Sequence, residues 1–326
     1  MTLLLALGNV DFVTVVADRR LTMNGVLCDD EANKLCFLCC EDARAVIAFT
    51  GLAEAGTFST QDWLLNTLGV IDQTTHTFME TLLQLKEHAT RDISAVVTPD
   101  RRLTFAIAGF VFGAEQPAVV CHYLSNFENE LGIARPDFEL RTLNPGADGV
   151  LVEALGATSG LKASDTKMLR EMLLGKKRAP DVVRKAVHAI QAGASNPMSQ
   201  GLVGKQCNSA VVPCQPNTTL VSTYHSAFPS NVAYGANAAL SFSTRSCFFT
   251  GYELFSEAFI AGPAIRNRDP CWCGSGTVSK HCHLKRMGSV RARVAGFKRP
   301  LAMLAEAVIT PGVQSGSRFC VSSAFE

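Results

Sequence analysis

The chain has 326 residues, of which 47% are hydrophobic, and its formal net charge is +1. This length and apolar content are enough for one large hydrophobic core with a small appended unit. The longest apolar run, 103–114, has 12 residues, which excludes a membrane-spanning helix of roughly 18 residues. Residues 1–8 are apolar but lack a basic leader and a small-residue cleavage site, so no signal peptide is expected.

The first quarter of the chain reads as short strands joined by turns. Residues 13–17 (VTVVA) predict a buried strand that ends at Asp18, and Asn24-Gly25 closes the turn that follows. A second apolar run, KLCFLCC, begins at Lys34, and a third strand, AVIAFTG, ends at Gly51.

The next part of the chain alternates pairs of helices with strands. A capping box, Thr77 to Glu80, opens the second helix. Apolar spacing predicts helices at 59–71, 77–90 and 164–174 and a fourth starting at Pro180, and strands at 93–97, 103–112, 117–124, 209–213 and 219–224. Strands, two helices, strands, two helices, strands is the order expected of an α+β protein folded as a four-layer αββα sandwich.

Three polar residues near the start of the chain suggest a nucleophilic site. Asp18 follows Thr2 by sixteen residues, and Lys34 follows Asp18 by sixteen. Removal of Met1, expected before so small a residue, leaves Thr2 with a hydroxyl and an α-amine whose unperturbed pKa is roughly 7.7–8.0. Such an amine accepts the hydroxyl proton near neutral pH. A neighbouring lysine can depress both pKa values, and an aspartate can hold that lysine in place.

These residues, together with the ADRRLT stretch at 17–22 and a helix after Gly51, resemble a known family. It comprises the proteasome β-subunits and the bacterial proteasome-like proteases, members of the N-terminal-nucleophile hydrolases. The resemblance implies that Thr2 is the nucleophile and its own amine the general base. It also implies that Lys34 tunes their pKa values and that Asp18 positions Lys34.

The same resemblance implies how a substrate is held. The backbone N–H of Gly51 would be an oxyanion-hole donor. Thr22 would pair with an extended peptide as an added strand. The first specificity pocket would be lined by uncharged residues, which predicts an apolar side chain beside the scissile bond: Leu21, Ala32, Cys36, Phe49 and Ala53.

Two turns depart from the family pattern. The family places a serine in a Gly-Ser-Gly-like turn, where the chain has Ala157 within 155–160. It also has an Asp-x-x-Ser pair, whereas 203–209 contains no aspartate. Some other group would therefore have to fix the amine.

Ordinary structural roles also fit the same residues. Asp18 and Lys34 could be an ion pair between two strands, and Gly51 a helix-start glycine. Thr2 could sit behind a retained methionine. A catalytically inactive proteasome-like scaffold or adaptor thus stands as the alternative to a threonine-type peptidase or amidohydrolase.

A second informative segment, RNRDPCWCGSGTVSKHCH, occupies 266–283. Four soft ligands in C-x-C-x8-C-H spacing suit tetrahedral zinc: Cys271, Cys273, Cys282 and His283. The Arg-Asn-x-x-Pro-Cys lead and the Cys-Gly-Ser-Gly centre resemble the SEC-C motif. Zinc is expected to be structural, since all four positions are protein ligands and so small a unit folds around its metal. His281 is a substitute candidate for His283.

The surroundings of this segment bear on partners and compartment. Seven basic residues leave open a protein partner, a weak nucleic-acid contact or a merely solvated face: Lys280, Lys285, Arg286, Arg291, Arg293, Lys298 and Arg299. The proteasome-like resemblance implies a homo-oligomer. A zinc-binding segment in a chain with 12 cysteines predicts a reducing cytoplasm.

These observations divide the chain into four parts. The hydrolase-like domain is expected at 1–225 and the SEC-C segment at 264–288. Between them, 226–263 is either a connector or an extension of the sandwich. A basic tail follows at 289–326, with one helix expected at 300–308.

Overall fold

The computed structural model describes residues 2–23, 26–29, 32–71, 77–112, 116–127, 133–215 and 220–225, and strands at 240–242, 247–250, 257–260 and 307–309. The SEC-C-like segment lies outside the described residues, as does most of the helix expected at 300–308. The last two residues of that helix fall instead in a strand, Ala307–Ile309.

Within these ranges the chain forms four α-helices, close to the predicted positions. They are α1 Thr60–Ile71, α2 Phe78–Ser94, α3 Ala163–Leu174 and α4 Ala179–Ala194. The strands of the first half are β1 Leu3–Gly8, β2 Phe12–Asp18, β3 Leu21–Met23, β4 Val26–Asp29, β5 Leu35–Cys39, β6 Ala43–Gly51, β7 Glu54–Ala55, β8 Phe58–Ser59, β9 Leu103–Val111 and β10 Ala118–Ser125. Those of the second half are β11 Glu139–Leu143, β12 Leu151–Gly156, β13 Cys207–Pro213, β14 Leu220–His225, β15 Leu240–Phe242, β16 Cys247–Thr250, β17 Glu257–Ile260 and β18 Ala307–Ile309.

The strand predicted at 93–97 does not form, because α2 continues through its first residues. Leu82, Leu85, Ala89 and Ile93 recur at helical spacing, and all four side chains are fully buried. Ile93 therefore belongs to the apolar stripe of the helix.

The capping box predicted at Thr77 is also absent. The Thr77 hydroxyl donates to Glu80 Oε2 at 2.6 Å and makes no capping bond. Asp42, in the turn between β5 and β6, supplies the cap instead, because its Oδ1 accepts from the backbone N–H of Phe78 at 2.7 Å. The first turn of α2 is thereby joined to the sheet.

Two large sheets are built from these strands. The first has the order β12-β1-β2-β13-β14-β18, and all of its pairs are antiparallel. The second has the order β11-β10-β9-β6-β5-β17-β16-β15, in which β17 pairs with β5 in parallel. Three strands from the stretch 226–263 therefore extend the second sheet.

Three hydrophobic clusters fill the spaces between the two sheets and between each sheet and its pair of helices. One lies between the sheets, one between the second sheet and α1–α2, and one between the first sheet and α3–α4. The protein thus has a mixed α/β fold in which helices cover the outer face of each sheet. No helix among the described residues is long and apolar enough to cross a membrane.

Strand β1 was not predicted, and its place in the layers explains why. Leu4 and Ala6 face the cluster between the sheets, while Leu3, Leu5 and Leu7 face α3 and α4. Since both faces are covered, the strand reads as a continuous apolar run without alternation. Its position beside β2 places the start of the chain deep in the fold.

Candidate active site

Thr2 lies at the end of β1, where the sequence predicts a nucleophile. Only 4% of its surface is exposed. Strand β1 pairs with β2 on one side and β12 on the other, which puts Asp18 and Gly156 beside Thr2. Thr2 Oγ1 accepts a hydrogen bond from Lys34 Nζ at 2.5 Å. The two residues thus contact each other directly, as their spacing suggested.

The Lys34 ammonium has three acceptors, one for each of its protons. Besides Thr2 Oγ1 they are the carbonyl oxygen of Arg20 at 2.6 Å and Asp18 Oδ2 at 3.5 Å. Burial lowers the pKa of Lys34, and the nearby Asp18 carboxylate partly opposes this by favouring the charged form. Lys34 is therefore a cation that gives up its proton more readily than an exposed lysine.

Asp18 is fixed by backbone donors from three segments of the chain. Its Oδ1 accepts from Leu3 N at 2.6 Å, while Oδ2 accepts from Arg20 N at 2.9 Å and Gly204 N at 3.1 Å. Because the carboxylate is fully buried, these bonds hold it in one orientation. Asp18 thus links β1, the turn after β2 and the loop before β13 around Lys34.

Thr50 was not singled out from the sequence, although it also contacts Thr2. Its Oγ1 accepts from Thr2 N at 3.3 Å and donates to the carbonyl oxygen of Thr2 at 3.2 Å. Val46, Ala48 and Thr50 alternate along β6, and the first two belong to the cluster between the sheets. The available signal was a hydroxyl that follows two apolar residues on that face of β6.

Gly156 allows Thr2 to occupy this position, because it has no side chain. Its φ is +79°, and a Cβ there would lie 1.9 Å from the carbonyl oxygen of Thr2 and 2.6 Å from Thr50 Oγ1. The next residue, Ala157, donates its backbone N–H to the Thr2 carbonyl oxygen at 2.9 Å. Only a glycine allows this close approach of β12 to Thr2.

Serine hydroxyls near the family's expected positions bond elsewhere. Ser159 Oγ donates to the carbonyl oxygen of Met198 at 2.8 Å, and Ser209 Oγ pairs with His225 Nε2 at 2.8 Å. The position nearest the expected serine is Ala157, which has no hydroxyl. The contact that the Thr2 nitrogen does make is with Thr50.

A cavity of about 610 Å³ opens beside these residues. Its wall includes Thr50, Gly51 and Gly156, so it reaches the surroundings of Thr2. Gly51 has a φ of +102°, and a Cβ on it would lie 2.1 Å from the carbonyl oxygen of Arg102. The sharp change of direction after β6 therefore requires glycine at the cavity wall.

Only some of the residues predicted to bind substrate line this cavity. Leu21, Thr22 and Ala53 line it. Cys36 and Phe49 are buried in the cluster between the second sheet and α1–α2. Neither of them, nor the half-buried Ala32, is among the described residues of the wall. Their contribution to specificity remains a prediction.

Further wall residues come from segments that no sequence pattern connects with the site. Loops distant along the chain bring them together: Leu52, Glu54, Val97, Asp100, Arg102, Phe127 and Leu202. Arg102 is paired with Asp100 at 2.7 Å and lies over the Phe127 ring at 5.8 Å from its centre. The outer wall is therefore mixed, with apolar side chains, the Arg102–Asp100 ion pair and the carboxylate of Glu54.

The four predicted zinc ligands, Cys271, Cys273, Cys282 and His283, lie outside the described residues. A model of the SEC-C motif family matches residues 268–285, which contain all four. Three thiols and an imidazole are a donor set that fits zinc.

Comparison with solved structures gives proteasome-like proteins. Anbu (ancestral beta-subunit) from Yersinia bercovieri is 13% identical, with a TM-score of 0.44 over 65% of this chain and 82% of that one. The helical Anbu assembly from Pseudomonas aeruginosa is 14% identical, with a TM-score of 0.44, and the match covers 70% of this chain and 88% of that one. HslV from Trypanosoma brucei is 19% identical, with a TM-score of 0.37, and the match covers 65% of this chain and 99% of that one.

No curated protein matches the chain. The chain carries a segment that matches the SEC-C motif family, and the solved structures similar to it include Anbu and HslV.

Proposed function

We propose that the protein is an N-terminal-threonine hydrolase that cleaves amide or peptide bonds after Met1 is removed. The observation that carries this proposal is the 2.5 Å contact between Lys34 Nζ and Thr2 Oγ1, beside a cavity of about 610 Å³. An ion pair that only joined two strands would not need a third partner at a strand terminus. Here the cation contacts a hydroxyl that chain maturation would make part of a nucleophile.

The proposed reaction uses the residues in a definite order. The neutral Thr2 amine takes the proton from Thr2 Oγ1, which then attacks the substrate carbonyl carbon. Lys34 stabilises the negative charge that develops on Oγ1, and Asp18 holds Lys34 in place. The oxyanion forms against the backbone N–H of Gly51. The amine returns the proton to the leaving nitrogen as the C–N bond breaks, and water hydrolyses the acyl-ester on Thr2.

The test combines a covalent probe with a peptide panel. Full-length protein treated with a β-lactone should gain one adduct on Thr2. Untreated protein should hydrolyse fluorogenic peptides with an apolar residue before the cleaved bond. Thr2→Ala should lose both activities, because it lacks the nucleophilic oxygen. Thr2→Ser, which keeps a hydroxyl and an amine, is the matched control and should retain both.

One result would contradict the hydrolase proposal, and another would contradict its apolar pocket. Equal labelling of the Thr2→Ala protein would show that another residue reacts with the probe. Cleavage confined to peptides with acidic or basic residues at that position would refute an apolar pocket formed by Leu21 and Ala53.

The alternative is a catalytically inactive scaffold or adaptor that binds a protein or nucleic acid through the SEC-C segment. The alanine at position 157, where the resemblance expects a serine, favours it. Retention of Met1 in the purified protein, together with no labelling, would support this alternative, because the Thr2 nitrogen would remain an amide.

We further propose that Cys271, Cys273, Cys282 and His283 hold a structural zinc ion. Elemental analysis of the full-length protein should give one zinc per chain. Cys273→Ser should lower that content by at least about half, since thiolates supply most of the binding free energy of such sites. Cys214→Ser, a cysteine of the catalytic domain, is the control and should keep its zinc. An unchanged zinc content in Cys273→Ser would contradict the assigned ligands.

The other expectations remain proposals of the same kind. They are a homo-oligomer, a cytoplasmic location, a partner for the SEC-C segment and domain limits at 1–225, 226–263, 264–288 and 289–326. Light scattering on the full-length protein tests the first directly, because a single-chain mass at micromolar concentration would refute it.

A further inference from the structure

We propose that Thr50 is the residue that positions the α-amine of Thr2, in the place of the serine that the chain lacks. This inference rests on the proposed hydrolase function and concerns the same site. Thr50 is a positioning residue here, since it acts through the amine and not on the substrate.

The position of Thr50 in the fold makes it suitable for this role. It lies on β6, in the second sheet, and its side chain faces the first sheet, from which β1 presents Thr2. Only 1% of Thr50 is exposed, so water does not compete for its hydroxyl. The hydroxyl lies between Thr2 and Gly156, where a Cβ on Gly156 would come within 2.6 Å of it. Thr50 therefore has little freedom to rotate away from Thr2.

The two hydrogen bonds of Thr50 fix the direction of proton transfer. The Thr50 hydroxyl has one proton, and it donates that proton to the carbonyl oxygen of Thr2 at 3.2 Å. It can then act only as an acceptor towards the Thr2 nitrogen, 3.3 Å away. Once Met1 is removed, one N–H of the amine points at Thr50 and the nitrogen lone pair is left free. That lone pair is what must receive the proton of Thr2 Oγ1.

Thr50 also affects the charge on the amine. An acceptor stabilises the protonated form of an amine, whereas the neighbouring Lys34 cation destabilises it. Thr50 therefore favours the ammonium that forms when the amine takes the hydroxyl proton. Without Thr50, the pKa of the amine should fall and its orientation should be lost.

Thr50→Val tests this role, because valine keeps the shape of threonine and removes the hydroxyl. The rate of β-lactone labelling at its pH plateau should fall about tenfold, as expected for a misoriented general base. The pH of half-maximal labelling should move down by about 0.5 to 1 unit, the equivalent of one hydrogen bond. Thr50→Ser should restore most of the rate and the original midpoint.

Thr104 provides the matched control. It lies directly opposite Thr50 on β9, it is fully buried, and its hydroxyl bonds to Ser125 Oγ at 2.6 Å. Thr104→Val removes a comparable hydroxyl without touching Thr2, so it should keep both the plateau rate and the midpoint. A Thr50→Val protein that behaves like Thr104→Val would overturn the inference. A lower plateau with an unchanged midpoint would also overturn it, because that pattern indicates a structural role alone.

A second measurement separates this inference from the hydrolase proposal. The pKa of the Thr2 amine can be followed by NMR in protein labelled with ¹⁵N-threonine, without any reaction. A lower amine pKa in Thr50→Val than in wild type supports the role of Thr50 even if no probe reacts, whereas an identical pKa refutes it. Wild-type protein that gains no β-lactone adduct contradicts only the hydrolase proposal. Should Thr50→Val fail to fold, Thr50→Cys serves in its place, because a thiol is a weak acceptor.

Discussion

Replacing Lys34 with methionine should lower β-lactone labelling of Thr2 by at least about a hundredfold. Methionine keeps an unbranched side chain of similar length but removes the donor that lies 2.5 Å from Thr2 Oγ1. The hydroxyl oxygen then develops negative charge with no cation beside it. Asp18 keeps its three backbone donors but loses its charged partner, which costs stability as well, up to about 3–5 kcal/mol for a buried pair.

Labelling must therefore be compared at equal folded fraction, which thermal unfolding measures. Lys185→Met is the matched control, because Lys185 forms an ion pair with Asp165 at 3.3 Å between α3 and α4, away from Thr2. It should label as wild type does. A folded Lys34→Met protein that labels within about threefold of wild type would show that Lys34 is only structural, since threefold corresponds to the loss of a single weak hydrogen bond.

Gly156→Ala should destabilise the fold strongly. The new Cβ would lie 1.9 Å from the carbonyl oxygen of Thr2, and the φ of +79° is itself unfavourable for alanine. The first sheet would have to separate β1 from β12 or displace Thr2. We expect a loss of more than about 3 kcal/mol in the free energy of unfolding, measured by denaturant titration.

Gly149→Ala separates the cost of the steric clash from the cost of the positive φ. Gly149 has a similar φ of +72°, but a Cβ added to it would meet nothing within 4 Å. The free energy of unfolding of Gly149→Ala should therefore fall only by the cost of the backbone conformation, about 1–2 kcal/mol. Equal losses in the two variants would mean that the approach of Gly156 to Thr2 is not tight. A Gly156→Ala protein that stays folded should also lose labelling, because Thr2 is displaced.

The catalytic candidates could be predicted because their chemistry is unusual and their spacing is short. Thr2, Asp18 and Lys34 lie at or beside strand ends in the first part of the chain. The antiparallel pairing of β1 with β2 brings Asp18 beside Thr2. Lys34, beside β5 in the second sheet, meets them because the two sheets pack against each other. The helices were predictable for a related reason, since three of the four carry an apolar stripe with clear ends.

Other parts of the site could not be predicted, because they depend on contacts between distant segments. Thr50 reads as the last polar residue of a buried strand, and only the packing of the two sheets brings it to Thr2. The cavity wall combines 21–22, 50–56, 97–100 and Arg102 with Phe127 and Leu202, which no local pattern connects. Cys36 and Phe49, which the resemblance assigns to the pocket, pack in the cluster under α1 and α2, and their contribution to specificity remains a prediction.

The most direct test of the central claim is the intact mass of the purified full-length protein, before and after treatment with a β-lactone. If the Thr2 amine and hydroxyl act together beside Lys34, the untreated chain should lack Met1. The treated chain should then carry one adduct, which peptide fragmentation places on Thr2. A chain that retains Met1, or an adduct on any other residue, would contradict the account.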